Sequence, residues 1–143
     1  MNKKLHSIAD CKIIQLGKHY RPNGNLTAVE GGNKDMGFEI KRVYYIYDVP
    51  GATDRGGHAH KELAQLLVAV SGSFDVVIDD GKERKTITLN RPYYGLLLQP
   101  GIWREIKNFS SGAITLVLAS LPYDEHDYIR SYNKFMEYRN IRR

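Results

Sequence analysis

TDRGGHAHKELAQLLVAVSG, residues 53–72, decides how the rest of the chain is read. Its first half sets two histidines two apart, behind an arginine and two glycines. Its second half is a short apolar run closed by Ser71-Gly72. Residues two apart on a strand point to the same face, so His58 and His60 project together. A short apolar run bounded by a turn signal reads as a buried strand. Two imidazoles on one strand face suit either metal ligation or proton transfer, and the choice between them comes from residues outside the stretch.

Working outward, strand-like segments recur from about residue 10 to about residue 120 with turn residues between them and no long amphipathic helical pattern. They are CKIIQL, NLTAVE, FEIKRVYYIYDV, GGHAHKE, QLLVAVSG, SFDVVIDD, RKTITL, YGLLLQ, WREIKNF and AITLVLAS. Asp80-Gly81, between SFDVVI and RKTITL, predicts a tight hairpin because Asp-Gly tolerates the positive φ that such turns need. After Pro122 the period changes. Tyr128, Tyr132, Phe135 and Arg139 fall at helical spacing, with acidic residues ahead and the basic tail YRNIRR behind, which predicts one C-terminal helix over about residues 124–140. About ten short strands in one chain need a closed barrel or a two-sheet jelly roll to hide their edges, and either leaves a ligand cavity at its mouth. The expected fold class is all-β, a jelly roll or β-barrel with one C-terminal α-helix, in a single domain spanning residues 1–143.

A chain of 143 residues with 42% hydrophobic residues fills one core and is too short for two ordinary domains. The single cysteine, Cys11, has no intrachain partner for a disulfide. The N-terminal MNKKLHSIADCKII lacks the apolar run of a signal peptide, and no apolar stretch of about 18 residues suggests a membrane helix. A cytoplasmic protein is the expectation. A formal charge of +5 admits an anionic small molecule or nucleic acid. No zinc-knuckle, RNA-stacking or helix-turn-helix pattern accompanies the charge, so neither nucleic acid nor membrane is an expected partner.

The spacing carries more. A cupin first motif runs His-x-His, four residues, Glu, six residues, Gly, and His58, His60, Gln65 and Gly72 stand at those offsets. In PGIWREIKN, Pro100, Gly101, Arg104 and Asn108 match the second motif, with the Pro-to-Gly interval one residue shorter. The chain therefore resembles a cupin in spacing but not in donor chemistry. Neutral Gln65 stands in the carboxylate place and Arg104 in the third-histidine place, and a guanidinium has no lone pair to give a metal. The expected site has no metal and no cofactor. It is a cavity with two imidazoles and a guanidinium, suited to an anionic substrate and proton transfer.

GNLTAVEG, IKRVYYIYDV, RGGHAHKEL, GLLLQPGIWREI, VLAS and YDEHDYIRSYNKF together resemble the sugar-nucleotide 3,4-ketoisomerases, small cupins of deoxysugar biosynthesis for glycans such as lipopolysaccharide or S-layer glycans. The resemblance implies a homodimer with exchanged N-terminal strands and a dTDP-linked 4-keto-6-deoxyhexose as substrate. It implies His58 and His60 as the catalytic pair and leaves their division of labour open; the expectation adopted is His58 as the carbon base and His60 as shuttle. It places Arg55 at the nucleotide pyrophosphate and Asn23 in the sugar pocket. Arg104, whose cupin offset points inward, and Arg42 and Tyr45 of KRVYYIY are the further substrate-binding candidates. Arg104, with Asn23 where some members carry arginine, leans toward a gluco product. Trp103 reads as core packing. Alternatives are a nucleotide-sugar 3,5-epimerase, a non-catalytic cupin that binds a sugar nucleotide, and a metal-dependent dioxygenase, which the Gln65 and Arg104 places oppose.

Overall fold

The computed structural model describes residues 5–51 and 53–140. Its strands are β1 (Ile13–Gln15), β2 (Arg42–Ile46), β3 (Arg55–His60), β4 (Gln65–Ser71), β5 (Phe74–Asp79), β6 (Arg84–Leu89), β7 (Tyr94–Leu98), β8 (Trp103–Lys107), β9 (Ile114–Ala119) and β10 (Tyr128–Ile129), followed by helix α1 (Tyr132–Tyr138). They form two five-stranded antiparallel sheets, ordered β1-β7-β4-β9-β2 and β10-β3-β8-β5-β6. This is the expected two-sheet jelly roll, with the two sheets remaining separate rather than closing into a barrel.

Strand alternation builds the core. Leu67, Ala69, Leu96, Leu98 and Val117 of the first sheet meet Phe74, Val76, Ile78, Leu89 and Ile106 of the second. Each of these side chains other than Ala69 contributes about 1.5–3 kcal/mol when fully removed from water. The alternate residues Leu66, Val68, Leu97 and Leu118 face outward, where Met36, Phe38 and Ile40 fold over them. On the outer face of the second sheet, Trp103 packs with Ala59 and Ile129 under Phe135 and Met136 of α1. Trp103 therefore sits in packing, as the sequence suggested, and its Nε1–H donates to Glu105 at 2.9 Å. The Asp80-Gly81 hairpin forms as expected, with Gly81 at φ 90°.

Three boundaries differ from the sequence reading. NLTAVE makes no strand; Leu26 bridges His19 alone, at the base of an exposed hairpin. FEIKRVYYIYDV contributes only Arg42–Ile46, because Phe38 and Ile40 are used to cover the outer face of the first sheet. The C-terminal helix begins later than expected. Asp124 caps a 3₁₀ turn, Glu125–Asp127, and Tyr128–Ile129 then pair with His60 and Ala59 along β3. An unpaired sheet edge claims that dipeptide. Only then does Ser131 cap α1, its hydroxyl accepting from the Lys134 amide. Arg142 and Arg143 of the basic tail lie outside the described residues.

Candidate active site

A bulge aims the site. In the pairing of β3 with β8, Arg55 stands opposite Ile106 and His58 opposite Arg104, so β3 carries one residue more than β8 between these pairs. In regular alternation, positions three apart face opposite ways; the extra residue turns Arg55 to the same side as His58. The Gly56-Gly57 pair makes this possible. A Cβ on Gly57 would lie 2.4 Å from the Trp103 ring, so β3 can approach β8 this closely only with glycine there.

The result is a cavity of about 1010 Å³ between the sheets. Arg42, Tyr44 and Gln65 line it from the first sheet; Arg55, His58 and Arg104 line it from the second. The C-terminal segment adds Tyr128 and Arg130. Arg104 is fully buried; its Nη1 donates to Gln65 Oε1 at 2.7 Å, and its Nε and Nη2 donate to the Ile102 carbonyl at 3.2 Å. The Gln65 amide in turn donates to the Tyr44 hydroxyl at 2.9 Å. The two cupin positions that hold metal ligands elsewhere are thus joined in a guanidinium–amide–phenol chain. Among the described residues, no group of three or more His, Cys, Asp or Glu is placed to hold a metal ion.

The imidazoles of His58 and His60 meet edge to face with centroids 4.9 Å apart, and the Tyr128 ring lies 5.3 Å from the first and 4.3 Å from the second. Arg130 lies over the Tyr128 ring at 4.1 Å and is anchored by two hydrogen bonds to Glu125. His58 opens onto the cavity, whereas His60 is 1% exposed and sits behind it. Burial, then the positive charge of Arg104, holds His58 down to about 3 and His60 down to about 2. Both lie well below the ordinary imidazole value near 6.5, so both rings are neutral at pH 7, with a lone pair to offer. Burial lowers Arg104 as well, to about 10, which leaves it a cation.

The other residues singled out in the sequence are placed as follows. Arg42 faces inward over the Tyr44 ring at 4.6 Å. Tyr45, on the opposite face of β2 from Tyr44, is 62% exposed and borders the open side of the cavity. Asn23 lies on the exposed turn between His19 and Leu26 and does not line this chain's own cavity. Sequence reasoning missed Asp127, Tyr128 and Arg130. The tail string that contains them was conspicuous, but its helical spacing hid the short strand that brings them to the histidines.

The family model FdtA: WxcM-like, C-terminal, matches residues 9–140. The TDP-4-oxo-6-deoxy-alpha-D-glucose-3,4-oxoisomerase of Aneurinibacillus thermoaerophilus is 48% identical over 127 residues, covering 89% of this chain and 91% of that one. The WlaRB TDP-quinovose 3,4-ketoisomerase of Campylobacter jejuni is 50% identical, with a TM-score of 0.84 over 89% of this chain and 97% of that one. QdtA, a sugar 3,4-ketoisomerase of Thermoanaerobacterium thermosaccharolyticum solved in complex with TDP, is 40% identical, with a TM-score of 0.89 over 94% of this chain and 97% of that one. The resemblance read from the sequence motifs is thereby borne out.

Proposed function

The chain belongs to the FdtA family, and from that premise we propose that it is a 3,4-ketoisomerase that converts TDP-4-keto-6-deoxyglucose to its 3-keto isomer, with no metal and no redox cofactor. The observation that carries this reading is the neutral imidazole of His58 at the wall of an arginine-lined cavity, with the neutral ring of His60 packed against it from behind. A carbon next to a carbonyl loses its proton only to a base held close by, with positive charge nearby to stabilise the enediolate. His58, which opens onto the cavity, takes the proton from sugar carbon 3. Arg104 and Arg130 stabilise the negative charge that develops on the sugar oxygens. His60 carries the hydroxyl proton between the two oxygens, and collapse of the enediol with a proton added at carbon 4 gives the 3-keto sugar. Arg55, on the same face as His58 through the bulge, offers its fork of donors to the pyrophosphate. Arg42 and Tyr45 contact the substrate at the open side. An incoming pyrophosphate offsets the arginine share of this depression and raises the basicity of both imidazoles, while the larger share, from burial, remains.

The working form in this reading is a homodimer. β2 is an edge strand, and Val43 on it and Tyr47 just beyond it are both more than half exposed, apolar surface that a second copy would cover while Tyr45 stays at the cavity. Exchange of the N-terminal region would carry Asn23 to the partner's cavity. The 143 residues act as one domain. Among the described residues no helix is long and apolar enough to cross a membrane, and the reading places the enzyme in the cytoplasm. Arg104 and Asn23 support a gluco product, in keeping with a relative at 50% identity named for quinovose, which is 6-deoxyglucose.

The test is incubation with TDP-4-keto-6-deoxyglucose and a 3-aminotransferase, followed by proton NMR of the amino sugar. A 3-amino sugar with large H3–H4 coupling is expected. Inversion at carbon 5 would assign a 3,5-epimerase instead, and TDP binding without turnover would assign a binding protein.

A further inference from the structure

Asp127 is 67 residues from His60 in sequence, yet its carboxylate lies against the buried ring: Oδ2 stands 3.2 Å from His60 Nδ1. The same carboxylate is held by the backbone. Its Oδ1 accepts from the Glu62 amide at 2.7 Å and its Oδ2 from the Leu63 amide at 3.2 Å, while the Asp127 carbonyl accepts from Lys61 at 3.0 Å. The turn after β3 is therefore wrapped around one aspartate, which has little freedom to move. An ionised carboxylate only accepts, so a neutral His60 must carry its proton on Nδ1. His60 Nε2 is then a lone pair, and it is fully buried with no hydrogen-bond partner among the described residues. Leaving a buried acceptor unpaired is costly, and a group kept in that state beside an active site calls for a functional account.

We propose that Asp127 is the positioning residue for His60: it fixes the Nδ1–H tautomer and turns the Nε2 lone pair toward the reacting proton. This rests on the ketoisomerase reading for its consequence but not for its geometry. In the forward direction the proton on the sugar's carbon-3 hydroxyl passes to Nε2 as negative charge sits on the carbon-4 oxygen. The imidazolium so formed is stabilised by the Asp127 carboxylate. Nε2–H then breaks as the carbon-4 oxygen takes the proton, and His60 returns to its starting state. No proton or electron is gained or lost.

Two measurements on the full-length protein test this. The first is nitrogen-15 NMR of the histidine rings at neutral pH, which needs no substrate. His60 is expected to show a protonated Nδ1 and a pyridine-like Nε2, and Asp127→Asn, whose amide can donate to Nδ1, is expected to shift it toward the Nε2–H form. A wild-type His60 with a protonated Nε2 overturns the proposal whether or not the enzyme is an isomerase. The second is a double-mutant cycle on kcat. D127N is expected to lower kcat by about 10- to 100-fold with KM and TDP affinity nearly unchanged, less than the loss from H60N because the imidazole remains. In the H60N background D127N should cost little more, since residues acting as one unit are not additive. Wild-type kcat in D127N, or full additivity of the two losses, overturns it; loss of TDP binding in D127N but not in Asp127→Glu would assign the aspartate to holding the fold and overturn it too.

Discussion

Acidification from pH 6.5 to 4.5 should weaken the fold through the two cavity histidines. His58 is held at about 3 and His60 at about 2 in the folded chain, while both titrate near 6.5 when unfolded. The native state therefore binds fewer protons than the unfolded one between those limits, and stability rises with pH across that window. Read downward, each histidine takes away about 1.4 kcal/mol per pH unit below 6.5, so the pair removes ~5 kcal/mol by pH 4.5. That is a large part of the roughly 5–15 kcal/mol that holds a domain together. Carboxylates held low in the folded chain, such as Asp75, Asp80 and Glu105, add a slope of the same sign toward the acid end of this window, and a reference protein that carries them equally isolates the histidines. Urea denaturation at half-unit pH steps measures it, with the H58N/H60N double variant as reference. Wild-type stability should fall steeply and the variant's only slightly. Parallel slopes for the two proteins would refute the placement of neutral imidazoles in a cationic, desolvated wall.

Replacing either histidine, as H58N or H60N, should lower kcat by at least about a hundredfold while TDP binding persists, as calorimetry can check. Arg55→Met should weaken TDP binding by about ten- to a hundredfold, the worth of a charge-assisted fork of hydrogen bonds, with little change in folding stability. Gly57→Ala puts a methyl group against the Trp103 ring and should destabilise by about 1–3 kcal/mol, lowering Tm and activity together. A gluco product places H3 and H4 on opposite faces of the ring, so the base that takes deuterium from carbon 3 cannot return it to carbon 4. Substrate deuterated at carbon 3 should then yield product with protium at carbon 4, by NMR in ordinary water; label retained at carbon 4 would mean a one-face transfer and a galacto product.

The strand face shared by His58 and His60, and the unsuitability of Gln65 and Arg104 as ligands, were legible because period and donor chemistry are local properties. The inward aim of Arg55 was not, since a bulge at Gly56-Gly57 reverses the alternation that a sequence reading assumes. Tyr128 and Asp127 escaped for a related reason. Tyr128, Tyr132, Phe135 and Arg139 satisfy a helical period, and only the demand of the β3 edge for a partner converts the first of them to strand. NLTAVE alternates like a strand, yet Leu26 is exposed and bridges a single residue, and only Val29 packs, in part, against the outer cluster of the first sheet. The histidine pKa values also lay beyond the sequence, because they depend on burial and on arginines that β2, β8, β3 itself and the C-terminal segment bring to one cavity.

The most direct test of the central claim follows TDP-4-keto-6-deoxyglucose by proton NMR in heavy water, with metal-stripped protein and no added cofactor. The account predicts loss of the carbon-3 proton signal and appearance of the 3-keto isomer with wild-type protein, and neither with H58N. A wild-type protein that leaves both the proton and the 4-keto sugar unchanged, or one that acts only after a metal is restored, would contradict it.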